Sequence, residues 1–181
     1  MDKKYKNQYR IPSSRAHWHD YNEGSYFITI CTTNREHFFG EIQNNEMILS
    51  EIGNYTQNSI EQIESLHKDV RVPVFQVMPN HIHFIMVVKS PYNDNSKCEA
   101  TTKDIIINTE MHSIADLCGR ASHIISRFKS AVTKYARQNK IRFGWQARFY
   151  DHIIRDTIEW DLISNYIRDN VFNWGADKFH E

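Results

Sequence analysis

The sequence lacks any apolar run approaching the roughly 20 residues that a membrane-spanning helix needs. Its opening residues, Met1-Asp2-Lys3-Lys4-Tyr5, have no apolar stretch behind them and do not read as a signal peptide. Cysteine is sparse: Cys31, Cys98 and Cys118 are odd in number and widely spaced. That argues against a disulfide framework and a cysteine-based zinc site, and it fits a reducing, cytoplasmic setting. Net charge is missing too, because 22 basic and 22 acidic side chains cancel. The cancellation speaks against a nucleic-acid partner, but the distribution speaks for one. No Asp or Glu occurs between Leu117 and Tyr150, where Arg120, Arg127, Lys129, Lys134, Arg137, Lys140, Arg142 and Arg148 fall. A neutral total can therefore hide a basic face.

At 181 residues, with 40% apolar and 24% charged side chains, residues 1–181 read as a single globular domain. Residues 1–24 are polar and aromatic with little period. Tyr26 to Thr33 is β-branched and aromatic and predicts a strand. Glu41 to Met47 reads as a polar turn. Ser50 can cap a helix whose apolar positions run from Ile52 to Leu66. Val70–Met78 and His81–Lys89 are two apolar runs separated by Pro79-Asn80, a hairpin signature. Residues 90–112 are polar and aperiodic and read as a long mobile loop.

Ser113 starts a second helix, with Asp116 in capping-box position and an apolar stripe from Ile114 to Tyr135. Gly144–Arg155 predicts a strand and Thr157–Asn170 a last helix. The order β-α-β-β-α-β-α is that of an α+β, ferredoxin-like split βαβ antiparallel sheet with an additional C-terminal helix.

His81 and His83 lie two apart on a predicted strand, so both imidazoles project from one face, opposite Ile82, Phe84, Met86 and Val88. Two neighbouring imidazoles can hold one metal ion. They can equally be half-buried strand histidines satisfied by hydrogen bonds. Tyr166 and Asn170 lie four apart on the last helix and share a face with Leu162, Ile163 and Ile167, which packs inward. By itself Tyr166 reads as a core tyrosine, and Asn170 as a helix C-cap or a buried amide needing partners. Trp145, Arg148, Phe149, Tyr150, His152 and Arg155 mix aromatic and basic groups. They suit either a half-exposed sheet edge or a surface for unpaired bases and phosphates. A second pair, His17 and His19, sits in an aperiodic segment with no strand to align it.

In order, Tyr26-Phe-Ile-Thr-Ile-Cys-Thr-Thr33, Met78-Pro-Asn-His-Ile-His83, Arg127-Phe-Lys-Ser-Ala-Val132, Phe149-Tyr-Asp-His-Ile-Ile-Arg155 and Tyr166-Ile-Arg-Asp-Asn170 resemble the REP-associated tyrosine transposases. These are similar to the insertion-sequence-200 type of HUH transposase. The resemblance runs from about Tyr9 to Trp174. It implies that His81 and His83, with Ile82 between them, bind a divalent metal, Mg²⁺ or Mn²⁺. It implies that Asn170 is a third ligand and that Tyr166 is the nucleophile forming a 5′-phosphotyrosine.

Imidazole ligands alone suit Zn, Ni or Cu better than Mg or Mn, so the resemblance implies that phosphate oxygens and water complete the shell. The implied partner is single-stranded, hairpin-forming DNA, with Arg120, Arg127, Lys129, Lys134, Arg148 and Arg155 as phosphate contacts. Monomer and homodimer both stay open: insertion-sequence relatives resemble dimers sharing active sites, REP-associated ones monomers. The rival readings are a catalytically inactive nucleic-acid-binding protein and a metal-dependent phosphoesterase.

Overall fold

The computed structural model describes residues 4–5, 8–9, 22–89, 109–177 and 179–180, with side chains described over 22–89, 119–177 and 179–180. The His17–His19 pair and residues 90–108 of the expected loop lie outside them. No helix among the described residues is long and apolar enough to cross a membrane.

The elements are β1 (Gly24–Cys31), β2 (Gly40–Gln43), β3 (Glu46–Leu49), α1 (Glu51–Glu61) with a further turn at Ile63–Leu66, β4 (Val70–Val77), β5 (His81–Val88), α2 (Thr109–Gln138), β6 (Tyr150–Ile154) and α3 (Thr157–Asp169). A two-residue ladder, Lys4–Tyr5 with Gln8–Tyr9, precedes them. The main sheet runs β4-β5-β1-β6, every neighbour antiparallel. With α1 joining β1 to β4 and α2 joining β5 to β6, this is the split βαβ arrangement.

Period-two alternation sorts the strands onto two faces. Tyr26, Ile28 and Ile30 of β1, with Ile82, Phe84, Met86 and Val88 of β5, pack against α1 and α2 through Ile52, Ile60, Ala121, Ile124, Phe128 and Val132. Phe27, Val74, Ile85, Val87 and Ile154 face the other way and meet Trp160, Ile163 and Ile167 of α3. Strand β4 changes face at an irregularity between Arg71 and Val74, where Pro73 cannot donate a ladder hydrogen bond. Helix α1 is capped by Ser50, whose Oγ accepts from Gly53 N at 3.1 Å, and α3 by Asp156, which accepts from Glu159 N at 2.8 Å.

Four expectations need correction. Residues 41–47 are not a simple turn but the centre of the β2–β3 hairpin, closed by Asn44 and Asn45 at φ 51° and 61°. Left-handed conformation at both central residues matches strand twist, and Asn tolerates it. The second long helix starts at Thr109, ahead of Ser113, and Gly119 at φ 71° breaks its path. Residues 144–149 are not strand: Trp145 makes one isolated bridge to Thr32, and Arg148 has φ 68°. There Phe143 and Trp145 turn into the aromatic cluster around Phe39 instead of alternating across the sheet. Leu162 does not face inward; it is 67% exposed, while Ile163, Ile167 and Asn170 form the packed face of α3.

Candidate functional site

His81 and His83 open β5 directly after a turn that is tied down on every side. Thr32 N and Thr32 Oγ1 each donate to Asn80 O at 2.9 Å, and Phe39 N donates to Pro79 O at 3.0 Å. The Asn80 amide is itself oriented, because Nδ2 donates to Phe179 O at 2.6 Å. Its Oδ1 therefore accepts from His81 Nδ1 at 2.8 Å, which places the lone pair of this ring on Nε2. His83 is held from β1: Thr29 stands opposite it in the ladder, with Thr29 Oγ1 2.9 Å from His83 Nδ1. The two rings lie side by side, centroids 4.4 Å apart, at 0% and 1% exposure.

A third potential ligand comes from beyond the last helix. The ligand atoms of His81, His83 and Asp177 all lie within 4.8 Å of one another, so these three residues could bind a metal ion. Asn170 reaches the same place through Asp177: its Nδ2 donates to Asp177 Oδ2 at 3.0 Å. Asn170 does end α3, as a C-cap would, but in right-handed conformation. Its Oδ1 is buried and has no hydrogen-bond partner among the described residues. A buried carbonyl oxygen without a donor is costly, and a cation beside it would relieve that cost. Two imidazole nitrogens and a carboxylate fit a divalent ion better than imidazoles alone, because Asp177 brings an oxygen donor that the histidine pair lacks.

Tyr166 stands over this cluster. Its hydroxyl is 3.3 Å from His83 Nε2, and its ring meets His83 at 5.3 Å and Phe27 edge-on at 6.1 Å between centroids. Burial, and then the negative charge of Asp177, hold the phenol above its ordinary pKa, with the Asn170 amide pulling the other way. The side chain is nonetheless 42% exposed and lines a cavity of about 740 Å³ together with His83, Asn170, Asp177, Arg35 and Arg148. Tyr150 lines the same cavity but is carried by β6, its ring meeting Phe27 at 6.4 Å.

The expected phosphate contacts divide. Arg148 lines the cavity. Arg120 instead forms a two-pronged ion pair with Asp69, at 2.7 and 2.8 Å. Lys129 Nζ donates to Gln146 O and Arg148 O, both at 2.9 Å, and sits 5.6 Å over the Trp145 ring. Desolvation pushes its ammonium below the usual lysine range. Arg127 and Lys134 are exposed on the groove between α1 and α2. Arg155 is exposed at the start of α3, its backbone N–H donating to Glu159 Oε2 at 2.9 Å.

Asp177 and Arg35 were not legible as site residues beforehand. Thr29 could have been found, since the alternation that turns Ile28 and Ile30 inward puts Phe27, Thr29 and Cys31 on the histidine face.

No family model matches the sequence. A protein of Haemophilus influenzae, described only as an uncharacterized protein, is 35% identical over 165 residues, covering 91% of this chain and 89% of its own length. The chain belongs to the family of that protein. Among solved structures, a REP-associated tyrosine transposase bound to a REP hairpin superposes with a TM-score of 0.52 at 17% identity, over 92% of this chain and 77% of the other. At that identity the likeness is one of fold. The ferredoxin-like sheet with its extra helix is therefore an architecture that the solved transposase shares.

Proposed function

We propose that this protein is a single-tyrosine HUH transposase that cleaves and rejoins single-stranded DNA through Tyr166. The observation that carries the reading is the Tyr166 hydroxyl 3.3 Å from His83 Nε2, at the mouth of the cluster where His81, His83 and Asp177 converge. A core tyrosine needs neither a metal-ligating neighbour nor a cavity of strand-binding size. The fold likeness to a transposase bound to a hairpin supports the same class of substrate.

In this reading Tyr166 Oη attacks the scissile phosphorus. The new bond is phenol oxygen to phosphorus; the broken one is phosphorus to the 3′ oxygen of the preceding nucleotide. The phenol loses its proton, the departing oxygen gains one, and the strand remains attached by its 5′ phosphate. A free 3′-OH reverses the same exchange, so rejoining needs no nucleotide cofactor. His81, His83 and Asp177, with Asn170 Oδ1 beside them, would hold the ion, Mg²⁺ or Mn²⁺, the two imidazoles favouring Mn²⁺. Such an ion supplies charge neutralisation and polarisation of the phosphate. Asn80 and Thr29 fix the rings, and α3 aims the phenol, a positioning effect that can carry much of a rate enhancement. Arg35 and Arg148 flank the strand's phosphates.

The test incubates labelled single-stranded DNA hairpins with protein and Mn²⁺ and resolves a covalent adduct on a denaturing gel. An adduct made by wild type and lost in Tyr166→Phe supports the reading. Binding without any adduct indicates an inactive nucleic-acid binder. Phosphoester hydrolysis that survives Tyr166→Phe indicates a phosphoesterase.

A further inference from the structure

The tyrosine cavity does not end at its rim. A second groove of about 570 Å³ runs along the outer side of α2. Arg148 and Phe149 line both. We propose that this groove is a second phosphate-backbone site, taking the unpaired strand that leaves the tyrosine cavity across Arg148 and Phe149. The inference rests on the reading of Tyr166 as a DNA-cleaving residue and adds where the flanking strand goes.

Three features of the groove point to a nucleic-acid backbone. Its walls include Ser122, Ser126, Ser130, Thr133, Lys134 and Arg137, and among the described residues no Asp or Glu lines it. Ser126 and Ser130 are exposed and four residues apart, so their hydroxyls stand about 6 Å apart along the helix, close to the interval between successive phosphates on an extended strand. Hydroxyls donate to phosphate oxygens without fixing sequence, and the two cations add charge that a protein or apolar partner would not need. An aromatic ring at the crossing, Phe149, gives an unpaired base a stacking surface. Duplex DNA would have no use for it.

The junction between the two cavities is actively held. Arg148 adopts a left-handed conformation at φ 68°, which costs energy and persists only where neighbours impose it. Lys129 imposes it, donating to the carbonyls of Gln146 and Arg148 from beneath. In this arrangement Lys129 is a positioning residue and not a phosphate ligand; the ligands are Lys134, Arg137 and Arg148.

The experiment measures binding of a blunt DNA hairpin and of the same hairpin carrying an oligothymidine tail, at either end, by filter retention across a salt series. Wild type should hold a tailed hairpin more tightly and with a steeper salt dependence. In Lys134→Ala/Arg137→Ala that gain should disappear, the salt slope for the tailed hairpin flattening by about 1.4, from about 0.7 for each lost single-strand contact. Lys140→Ala, which removes a cation from the same helix end but outside the groove, should keep the gain. The groove assignment is overturned if the double variant retains the tail's contribution, or if it weakens blunt and tailed hairpins equally. A wild type that binds tailed DNA through the groove yet forms no adduct would sink the reading of Tyr166 and leave the groove standing. A wild type indifferent to the tail would do the reverse.

Discussion

The two faces of the central sheet are made by the same strands and serve opposite ends. On β5, Ile82, Phe84, Met86 and Val88 look toward α1 and α2 and are buried in a continuous apolar cluster. One residue out of step, His81, His83, Ile85 and Val87 look toward α3. There the apolar half forms a small cluster, Val74, Ile85, Ile154 and Ile167, and the other half is imidazole, amide and carboxylate. The helix-packed face gains its stability from apolar area removed from water. The α3 face accepts two fully buried imidazoles and an unsatisfied Asn170 oxygen, features that lower stability unless something binds there. A strand with period two can thus give one face to the apolar core and gather imidazoles on the other without compromise in sequence.

The sharpest break between the faces is Tyr166→Phe. Adduct formation on labelled hairpins should fall by at least three orders of magnitude, roughly 4 kcal/mol of barrier, with the melting temperature unmoved. Tyr150→Phe should leave the adduct; a nucleotide found by mass spectrometry on a Tyr150 peptide would reverse the assignment. The mirror experiment is Phe84→Ala on the helix-packed face. It should cost about 3–5 kcal/mol of stability in denaturant titrations, while the folded fraction keeps its adduct yield. If Phe84→Ala removed activity without loss of stability, the division of labour between faces would be wrong.

Much of this division was readable from sequence. The HxH spacing in a β-branched run put both imidazoles on one face, and the four-residue step from Tyr166 to Asn170 put phenol and amide on one side of a helix. Local periodicity carries that information. It does not carry what depends on chain segments meeting. Asp177 joins the histidines only because the turn after α3 folds back over β5. Arg120 read as a phosphate contact because its partner, Asp69, is distant in sequence. Phe143 and Trp145 broke the expected strand because the aromatic cluster around Phe39 draws them in. The Asn44-Asn45 turn was readable in principle, but its polarity hid two short strands.

Smaller effects refine the comparison. Asp177→Asn should weaken Mn²⁺ binding in calorimetric titrations about 10–100-fold, whereas Asp69→Asn, outside the site, should not change it; equal metal affinity in Asp177→Asn would remove that residue from the ligand set. The smallest effect lies beside the helix-packed face. The Arg120 guanidinium holds the Asp69 carboxyl below its ordinary range. A depressed carboxylate contributes stability above its unfolded pKa of about 3.9 and loses it as pH falls through the folded value. Arg120→Ala should therefore flatten the acid limb of the stability curve, by about 1 kcal/mol or less, given how exposed the pair is. Guanidinium chloride melts between pH 3 and pH 5, about one unit either side of that pKa, would show it.

Trp174 sits 6.0 Å from the His81 ring and is almost wholly shielded from water. An indole in that position is an optical gauge of the cluster beside it. Paramagnetic Mn²⁺ quenches indole emission at short range and Mg²⁺ does not, so the two ions can be told apart by fluorescence in unlabelled protein. The other three tryptophans, Trp18, Trp145 and Trp160, remain in Trp174→Phe, so subtracting that variant's titration isolates the signal that belongs to the histidines.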